Sequence, residues 1–144
     1  MPPEALICEA AAYYKTKKMT LYDGLLSLYE KYGYHREDLI SLVLKGREGE
    51  EAIISIMEHL RNNPPKELAG NKVSEFRDYM VYEEPVSIPK DNVLSFIFEN
   101  DSWFAVRPSG TEPKIKIYLA VKGNSMSHAE NSLKSLKSGI KDLL

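Results

Sequence analysis

Cysteine is nearly absent from this chain of 144 residues, since Cys8 is its only one. A single cysteine excludes an internal disulfide and a cysteine-rich zinc site. Small proteins of oxidising compartments usually depend on disulfides, so we predict a reduced, cytoplasmic setting. A chain of this length still buries about 68–70% of its unfolded surface, which is enough for one hydrophobic core without covalent links.

Long apolar runs and a strong net charge are also missing. No stretch approaches the length of a membrane-spanning helix, so we expect no membrane partner. The N-terminus has no basic segment followed by an apolar one, and we predict no secretory signal. The 19 Lys+Arg nearly balance the 21 Asp+Glu, which gives a formal net charge of −2. Overall attraction to nucleic acid is therefore not expected, and any anion site must be local.

The first 33 residues carry the spacing of two helices. Prolines at positions 2 and 3 followed by an alanine-rich segment are typical of a first turn and a helix interior. Thr20 offers an N-cap for the second helix, which Gly33 can end. Little punctuation precedes the first helix, so we expect this chain to be a piece of a longer one with a start methionine added.

From residue 34 onwards the pattern predicts the order β-α-β-β-β-β-α. Strands are predicted at 39–44, 71–82, 93–98, 103–107 and 114–122, and helices at 50–62 and after a capping box formed by Ser127 and Glu130. Residues 85–92 are expected to form a linking loop, and Trp103 to lie in the core. Successive strands with short connections imply an antiparallel sheet that the helices cover on one face, which is an α+β architecture.

The segment 107–116 has the composition of an anion-binding loop. Gly110 permits a positive φ, so consecutive amides can converge on one point. Ser109 and Thr111 add hydroxyl donors, and the planar guanidinium of Arg107 matches phosphate geometry. Lys116 lies on the polar face of the following strand and can point to the same place.

The charge around this segment differs from the rest of the chain. Between 107 and 122, four basic residues stand against one acidic residue, a local net charge of +3 in a chain of −2. The same residues are equally typical of a plain turn between two strands, in which Arg107 simply pairs with Glu112. Composition alone leaves both interpretations open.

A longer motif favours the phosphate interpretation. The string Arg-Pro-Ser-Gly-Thr-Glu-Pro-Lys-Ile-Lys-Ile-Tyr at 107–118 resembles the phosphate-binding loop in the last domain of the α-D-phosphohexomutases, the family of phosphoglucomutase and phosphomannomutase. The segment 20–34 resembles the link between the third and fourth domains of that family. Residues 60–65 and the Asp78-Tyr79 pair also fit, so the resemblance spans essentially the whole chain.

The resemblance implies a domain organisation. Residues 1–33 would be the helical tail of the preceding, third domain together with the linker. Residues 34–144 would be the C-terminal phosphate-binding domain, whose fold in this family is TBP-like with the order β-α-β-β-β-β-α. That order agrees with the one predicted from the pattern.

The resemblance also implies a chemistry. In this family a phosphoserine donates its phosphoryl group to a hexose phosphate, and hexose 1-phosphate and hexose 6-phosphate interconvert through a bisphosphate intermediate with the help of Mg²⁺. The last domain holds the phosphate that does not react. Carried over by motif, Arg107, Ser109, Gly110, Thr111 and Lys116 would bind that phosphate, so the expected partners are a hexose phosphate and the upstream domains.

Three motifs of the family do not occur in this chain. These are the Ser-His motif of the nucleophile with its flanking pattern, the Asp-x-Asp-x-Asp string that holds the metal, and the sugar loop that distinguishes glucose from mannose. Ser127-His128 is a Ser-His pair, but it lies at a predicted helix start without that flanking pattern, and we interpret it as part of a cap. We therefore assign no catalytic residue and no metal ligand here. The chain by itself is predicted to bind no Mg²⁺ and to be inactive, while its parent is predicted to be a mutase.

Two further expectations concern association. Tyrosines are dense in the first two helices and their end, at positions 13, 14, 22, 29, 32 and 34. Exposed apolar surface of this kind favours a dimer when the preceding domain is missing. A rival interpretation is a TBP-like interaction module that binds a protein or a nucleic acid through its sheet. The confinement of positive charge to one loop argues against nucleic acid.

Overall fold

The structure is a computed structural model, and it describes residues 2–82 and 89–144. The chain divides into two compact parts: the helical unit, Met1–Tyr34, and the sheet unit, His35–Leu144. No helix in the described ranges is long and apolar enough to cross a membrane.

Two helices form the helical unit, α1 (Pro3–Thr16) and α2 (Leu21–Tyr32). Thr20 and Asp23 build a reciprocal capping box at the start of α2, because Thr20 Oγ1 accepts the Asp23 amide at 3.1 Å and the Asp23 carboxylate accepts the Thr20 amide at 2.8 Å. Gly33 ends the helix with φ of 100°, a conformation that favours glycine. Both predicted ends of α2 are confirmed.

The remaining elements are β1 (Tyr34–Val43), α3 (Gly46–Asn62), β2 (Glu67–Leu68), β3 (Asn71–Asp78), β4 (Leu94–Phe98), β5 (Trp103–Pro108), β6 (Lys114–Gly123) and α4 (Met126–Leu143). Within the described residues the strands form one sheet in the order β1-β6-β5-β4-β3-β2, and β2 to β6 pair antiparallel. The Leu44 amide donates to the Pro113 carbonyl at 2.9 Å, so the end of β1 lies beside the start of β6. The predicted α+β fold with an antiparallel sheet is confirmed.

One hydrophobic core lies between the sheet and its two helices. Phe96 and Phe104 stack at its centre with ring centroids 4.4 Å apart. The inward residues of β6 alternate as predicted, and α3 and α4 close the core from one side. The buried side chains of these elements include Met57, Leu60, Ile115, Ile117, Leu119, Val121, Leu136 and Ile140. The opposite face, which we call the outer face of the sheet, is not covered by these helices.

Several predicted boundaries are wrong for local reasons. β3 ends at Asp78 rather than 82, because the Asp78 Oδ1 accepts the Met80 amide at 3.1 Å and turns the chain. β2 was not predicted, since two residues give no pattern. Its turn to β3 uses Ala69 and Gly70, which have φ of 51° and 76°. The observed order from residue 34 therefore contains this extra short strand.

The helix starts also differ from the prediction. α3 begins at Gly46 rather than at 50, and no side chain caps it, so the sequence carried no start signal. The cap of α4 is Ser125, not Ser127: its Oγ accepts the His128 amide at 3.1 Å. Glu130, the predicted partner in that cap, forms an ion pair with Arg36 at 3.0 Å instead.

Other differences concern a strand, a loop and an aromatic side chain. β1 extends back to Tyr34 from the predicted 39, and residues 34–38 alternate half-buried and exposed positions although four of the five are polar or charged. The first half of the predicted linking loop, residues 85–88, lies outside the described residues. Trp103 is not in the core: it lies on the outer face and is 37% exposed, while its neighbour Phe104 fills the core.

Candidate phosphate-binding site

Strands β5 and β6 bring together, at one end of the sheet, the two basic residues that were predicted to bind phosphate. Arg107 and Lys116 are directly opposite each other in the β5–β6 register. Their neighbours Val106 and Ile117 are fully buried, so strand alternation places both cations on the outer face. Directly opposed positions hold their Cβ atoms about 4.5–5.5 Å apart, and like charges there destabilise the pairing. This pair of cations therefore favours a nearby anion.

The loop between these strands is held by backbone hydrogen bonds. The Ser109 amide donates to the Lys114 carbonyl at 2.8 Å, and the Lys114 amide donates to the Glu112 carbonyl at 2.7 Å. Gly110 and Thr111 are exposed at its tip, while Ser109 is half-buried. In the described part of the chain, neither hydroxyl forms a hydrogen bond with another protein group. Both therefore remain available as donors.

The left-handed turn that Gly110 would permit does not form. Positive φ among the described glycines occurs at Gly33, Gly46 and Gly70, not at Gly110. A Cβ added at Gly110 would meet nothing within 4 Å. Neither backbone geometry nor packing within the protein thus requires glycine here, and the convergence of amides that a positive φ would allow does not occur.

Glu112 does not pair with Arg107, so the pairing that the sequence left open as an alternative is wrong. Its carboxylate binds the Lys114 ammonium at 2.8 Å. This hydrogen bond, helped by the charges of Lys114 and Lys116, lowers the pKa of Glu112 below its ordinary value. Arg107 instead forms an ion pair with Asp91, with 3.1 Å between Nη2 and Oδ2. Both side chains of this pair are about half exposed, 55% and 51%.

The segment that carries Asp91 is fixed by a partly buried network. Arg61, near the end of α3, donates from Nε to Asp78 Oδ2 and from Nη2 to Asn92 Oδ1, each at 2.7 Å. The Asp78 side chain is only 8% exposed. Asp91 precedes Asn92 directly, so this network positions the acid that faces Arg107. Residues 60–65 and Asp78 entered the sequence analysis only through the family resemblance. Their pairing and the position of Asp91 were not predicted, because contacts between distant segments have no local sequence signal.

Helix α3 lies beside the loop and lines a pocket together with it. Glu50, Ile53 and Ile54 line a hollow of about 340 Å³ together with residues 108–113. These α3 residues were predicted only as part of the helix at 50–62. This contact was not predicted, because these residues lie far from the loop in sequence.

The donor set of the site suits an oxyanion rather than a metal ion. Two cations lie opposite each other on the outer face, and two hydroxyls lie in the adjoining loop, which lines the hollow against α3 without Arg107 or Lys116. Metal ions instead prefer carboxylate, imidazole or thiolate ligands. Across residues 2–82 and 89–144, no group of three or more His, Cys, Asp and Glu side chains is placed to hold a metal. Cations and hydroxyl donors of this kind are the groups that proteins use for oxyanions such as phosphate.

Comparison with known proteins points to one family. Residues 60–127 match the family model for the C-terminal domain of phosphoglucomutase/phosphomannomutase. The chain is 40% identical over 126 residues to a phosphoglucomutase of Staphylococcus aureus strain MRSA252, and the same figures hold for strain MSSA476. Each alignment covers 81% of this chain and 23% of the relative, so the chain spans less than a quarter of these relatives.

A solved structure supports the fold. Parafusin, a phosphoglucomutase from Paramecium in its open form, matches with a TM-score of 0.61 at 21% identity. The match covers 91% of this chain and 24% of that protein. Together with the family model and the staphylococcal relatives, it confirms the resemblance read from the sequence. Residues 60–127 of the chain therefore resemble the C-terminal domain of the phosphoglucomutase/phosphomannomutase family, and the aligned relatives are phosphoglucomutases.

Proposed function

We propose that residues 34–144 hold the phosphate group of a hexose phosphate with Arg107, Ser109, Gly110, Thr111 and Lys116. The observation that carries this proposal is the direct opposition of Arg107 and Lys116 beside a loop with two available hydroxyls. A phosphate monoester dianion removes the repulsion between the two cations. It also offers enough oxygens to accept hydrogen bonds from several directions at once.

The individual roles follow from the chemistry of each group. The Arg107 guanidinium can donate two parallel hydrogen bonds to two phosphate oxygens, and Lys116 adds a point charge. Ser109 and Thr111 supply hydroxyl donors from the loop. Gly110 leaves open space at the loop tip, which lets a phosphate approach the backbone amides closely.

The domain alone should bind weakly. Each hydrogen bond to a charged group contributes about 1.5–3 kcal/mol, while association costs roughly 4–15 kcal/mol. With no contact to the sugar, we expect a Kd near the millimolar range, about −4 kcal/mol. Tight binding in the whole protein would need contacts from other domains.

For the whole protein we propose a cytoplasmic phosphohexomutase that interconverts hexose 1-phosphate and hexose 6-phosphate. Its relatives are phosphoglucomutases, which supports this class. Upstream domains would provide the phosphoserine, the Mg²⁺ ligands and the sugar loop, and the reaction would pass through a bisphosphate intermediate. Residues 1–33 would be the helical tail of the third domain, and the present chain alone would be inactive.

The exposure of the helical unit supports a missing neighbour. Helix α1 contains no buried residue, and Gly24 is the buried residue of α2. Large apolar side chains on these helices are more than 40% exposed: Leu6, Ile7, Tyr13, Leu21, Tyr22, Leu25, Leu28 and Tyr32. We propose that the preceding domain covers this surface, and that without it two copies of the chain associate through the tyrosine-rich helices.

A phosphate titration followed by ¹⁵N NMR tests the assignment. Glucose 1-phosphate should shift amides of residues 107–116 with a millimolar midpoint, and Lys116→Ala should weaken binding. Lys122→Ala is the matched control, because Lys122 lies on the same strand but pairs with Asp101 at 3.5 Å, away from the loop. Equal losses in both variants, or shifts elsewhere in the chain, would refute a site at this loop.

A second candidate is binding of a protein or a nucleic acid through the outer face of the sheet. The observation that favours it is the pair of exposed aromatics there, Trp103 at 37% and Tyr118 at 39%. These residues are diagonal neighbours on β5 and β6. Oligonucleotide-dependent shifts of Trp103 and Tyr118, with no effect of glucose 1-phosphate on 107–116, would favour this function over the first.

A further inference from the structure

Asp91 already forms an ion pair with the guanidinium of Arg107, the group that the proposed phosphate would bind. We propose that Asp91 is a built-in competitor, which neutralises Arg107 in the free domain and is displaced when a phosphate dianion binds. This inference rests on the proposed phosphate site. It adds a residue outside the loop motif that sets the affinity of that site.

The fold places Asp91 there through contacts of its own segment. Asp91 Oδ1 accepts the Asn92 amide at 2.8 Å, which leaves Oδ2 to face Arg107. Asn92 is in turn bound by Arg61, and the Tyr79 amide donates to the Val93 carbonyl at 3.0 Å. Asp91 therefore belongs to a segment that is fixed on both sides of its neighbour Asn92.

The geometry of the pair is that of a replaceable counterion. Arg107 reaches Asp91 through one nitrogen and one oxygen at 3.1 Å, and both side chains are half exposed. Elsewhere in the sheet, Arg77 binds Glu75 through two nitrogens and both oxygens, at 2.7 and 2.9 Å. Among the residues that the structure describes, the guanidinium of Arg107 thus retains unused donors, and an exposed single contact contributes little. A phosphate offers more charge and more acceptor oxygens, and it also reaches Lys116.

Removing the competing charge should strengthen phosphate binding. Asp91→Asn keeps the size of the side chain and an oxygen that can accept the Asn92 amide. It eliminates both the ion pair and the repulsion between Asp91 and an incoming dianion. Exposed pairs and nearby unit charges each change affinity by a small factor, so we expect Kd to fall about three- to tenfold at low salt.

The experiment measures the Kd of glucose 1-phosphate and of inorganic phosphate by NMR for the 144-residue chain and two variants. Asp101→Asn is the matched control: it removes the acid of another exposed ion pair, with Lys122, at the far end of β5. Asparagine also tolerates the φ of 64° at that position. We expect tighter binding in Asp91→Asn, and a change below twofold in Asp101→Asn.

A second readout follows the carboxyl ¹³C resonance of Asp91 in the unaltered chain, which should move as phosphate displaces it from Arg107. Unchanged or weaker binding in Asp91→Asn, or a stationary Asp91 resonance, overturns the competitor role. In that case, wild-type shifts at 107–116 would still support the phosphate site. If neither ligand binds any of the three proteins, the phosphate site and the competitor role both fail.

Discussion

The ion pair between Arg61 and Asp78 links α3 to the β3–β4 connection, and its removal should destabilise the sheet unit. Arg61→Ala deletes two hydrogen bonds of 2.7 Å, one to the Asp78 carboxylate and one to Asn92. The Asp78 carboxylate is 8% exposed and would keep only the Met80 amide as a partner of its side chain among the described residues. A buried charge then loses its counterion.

The burial of the two partners decides the magnitude. Breaking a fully buried pair costs about 3–5 kcal/mol, while an exposed pair contributes about 0–1 kcal/mol. Asp78 is near the first limit, but the Arg61 side chain is 29% exposed, so water partly replaces its contacts. We expect Arg61→Ala to lower the free energy of unfolding by about 2–3 kcal/mol. For a unit of this size, that loss lowers Tm by about 8–12 °C.

Arg47→Ala is the matched control on the same helix. Arg47 pairs with Glu51 at 3.1 Å, but its side chain is 91% exposed, so its removal should cost less than about 0.5 kcal/mol. Urea unfolding followed by tryptophan fluorescence and circular dichroism measures both variants. If Arg61→Ala and Arg47→Ala differ by less than about 0.5 kcal/mol, the argument that the network fixes this segment is refuted.

Four further outcomes are expected. Arg107→Ala should abolish the phosphate-dependent NMR shifts and Arg107→Lys should retain part of them, because a point charge replaces a planar pair of donors; equal binding by all three would contradict the assignment. Gly110→Ala should leave Tm unchanged or slightly raised, since the added Cβ meets nothing within 4 Å, yet weaken phosphate binding. Lys137 and the Leu39 amide hold the pKa of Asp38 below its ordinary value, so its stabilisation is complete above about pH 4 and is lost as the pH falls below that; Asp38→Asn should flatten this part of the pH–stability profile. Incubation of the chain with glucose 1-phosphate, a bisphosphate and Mg²⁺ should give no glucose 6-phosphate; turnover that co-elutes with the protein would contradict the proposed inactivity.

The strands and helices with strong local patterns were predictable. The alternation of β6 placed Ile115 and Ile117 inward, and the structure buries both completely. The Thr20 cap was predicted because a capping side chain acts within its own turn. Prediction failed where the local signal was weak, as at the uncapped start of α3, or ambiguous, as in the choice between Ser125 and Ser127 as the cap of α4.

The sequence by itself determined the family resemblance, the α+β class and the residues of the candidate loop, because motifs and periodicity are local properties of the chain. Only the tertiary structure decided how those residues pair. It set Lys116 opposite Arg107 and gave Arg107 the partner Asp91 instead of Glu112. Glu112 was the candidate partner because it lies close to Arg107 in sequence, and composition gives no sign of Asp91. Strand register and the Arg61 network bring together residues that are far apart in sequence, and that geometry selects the partner.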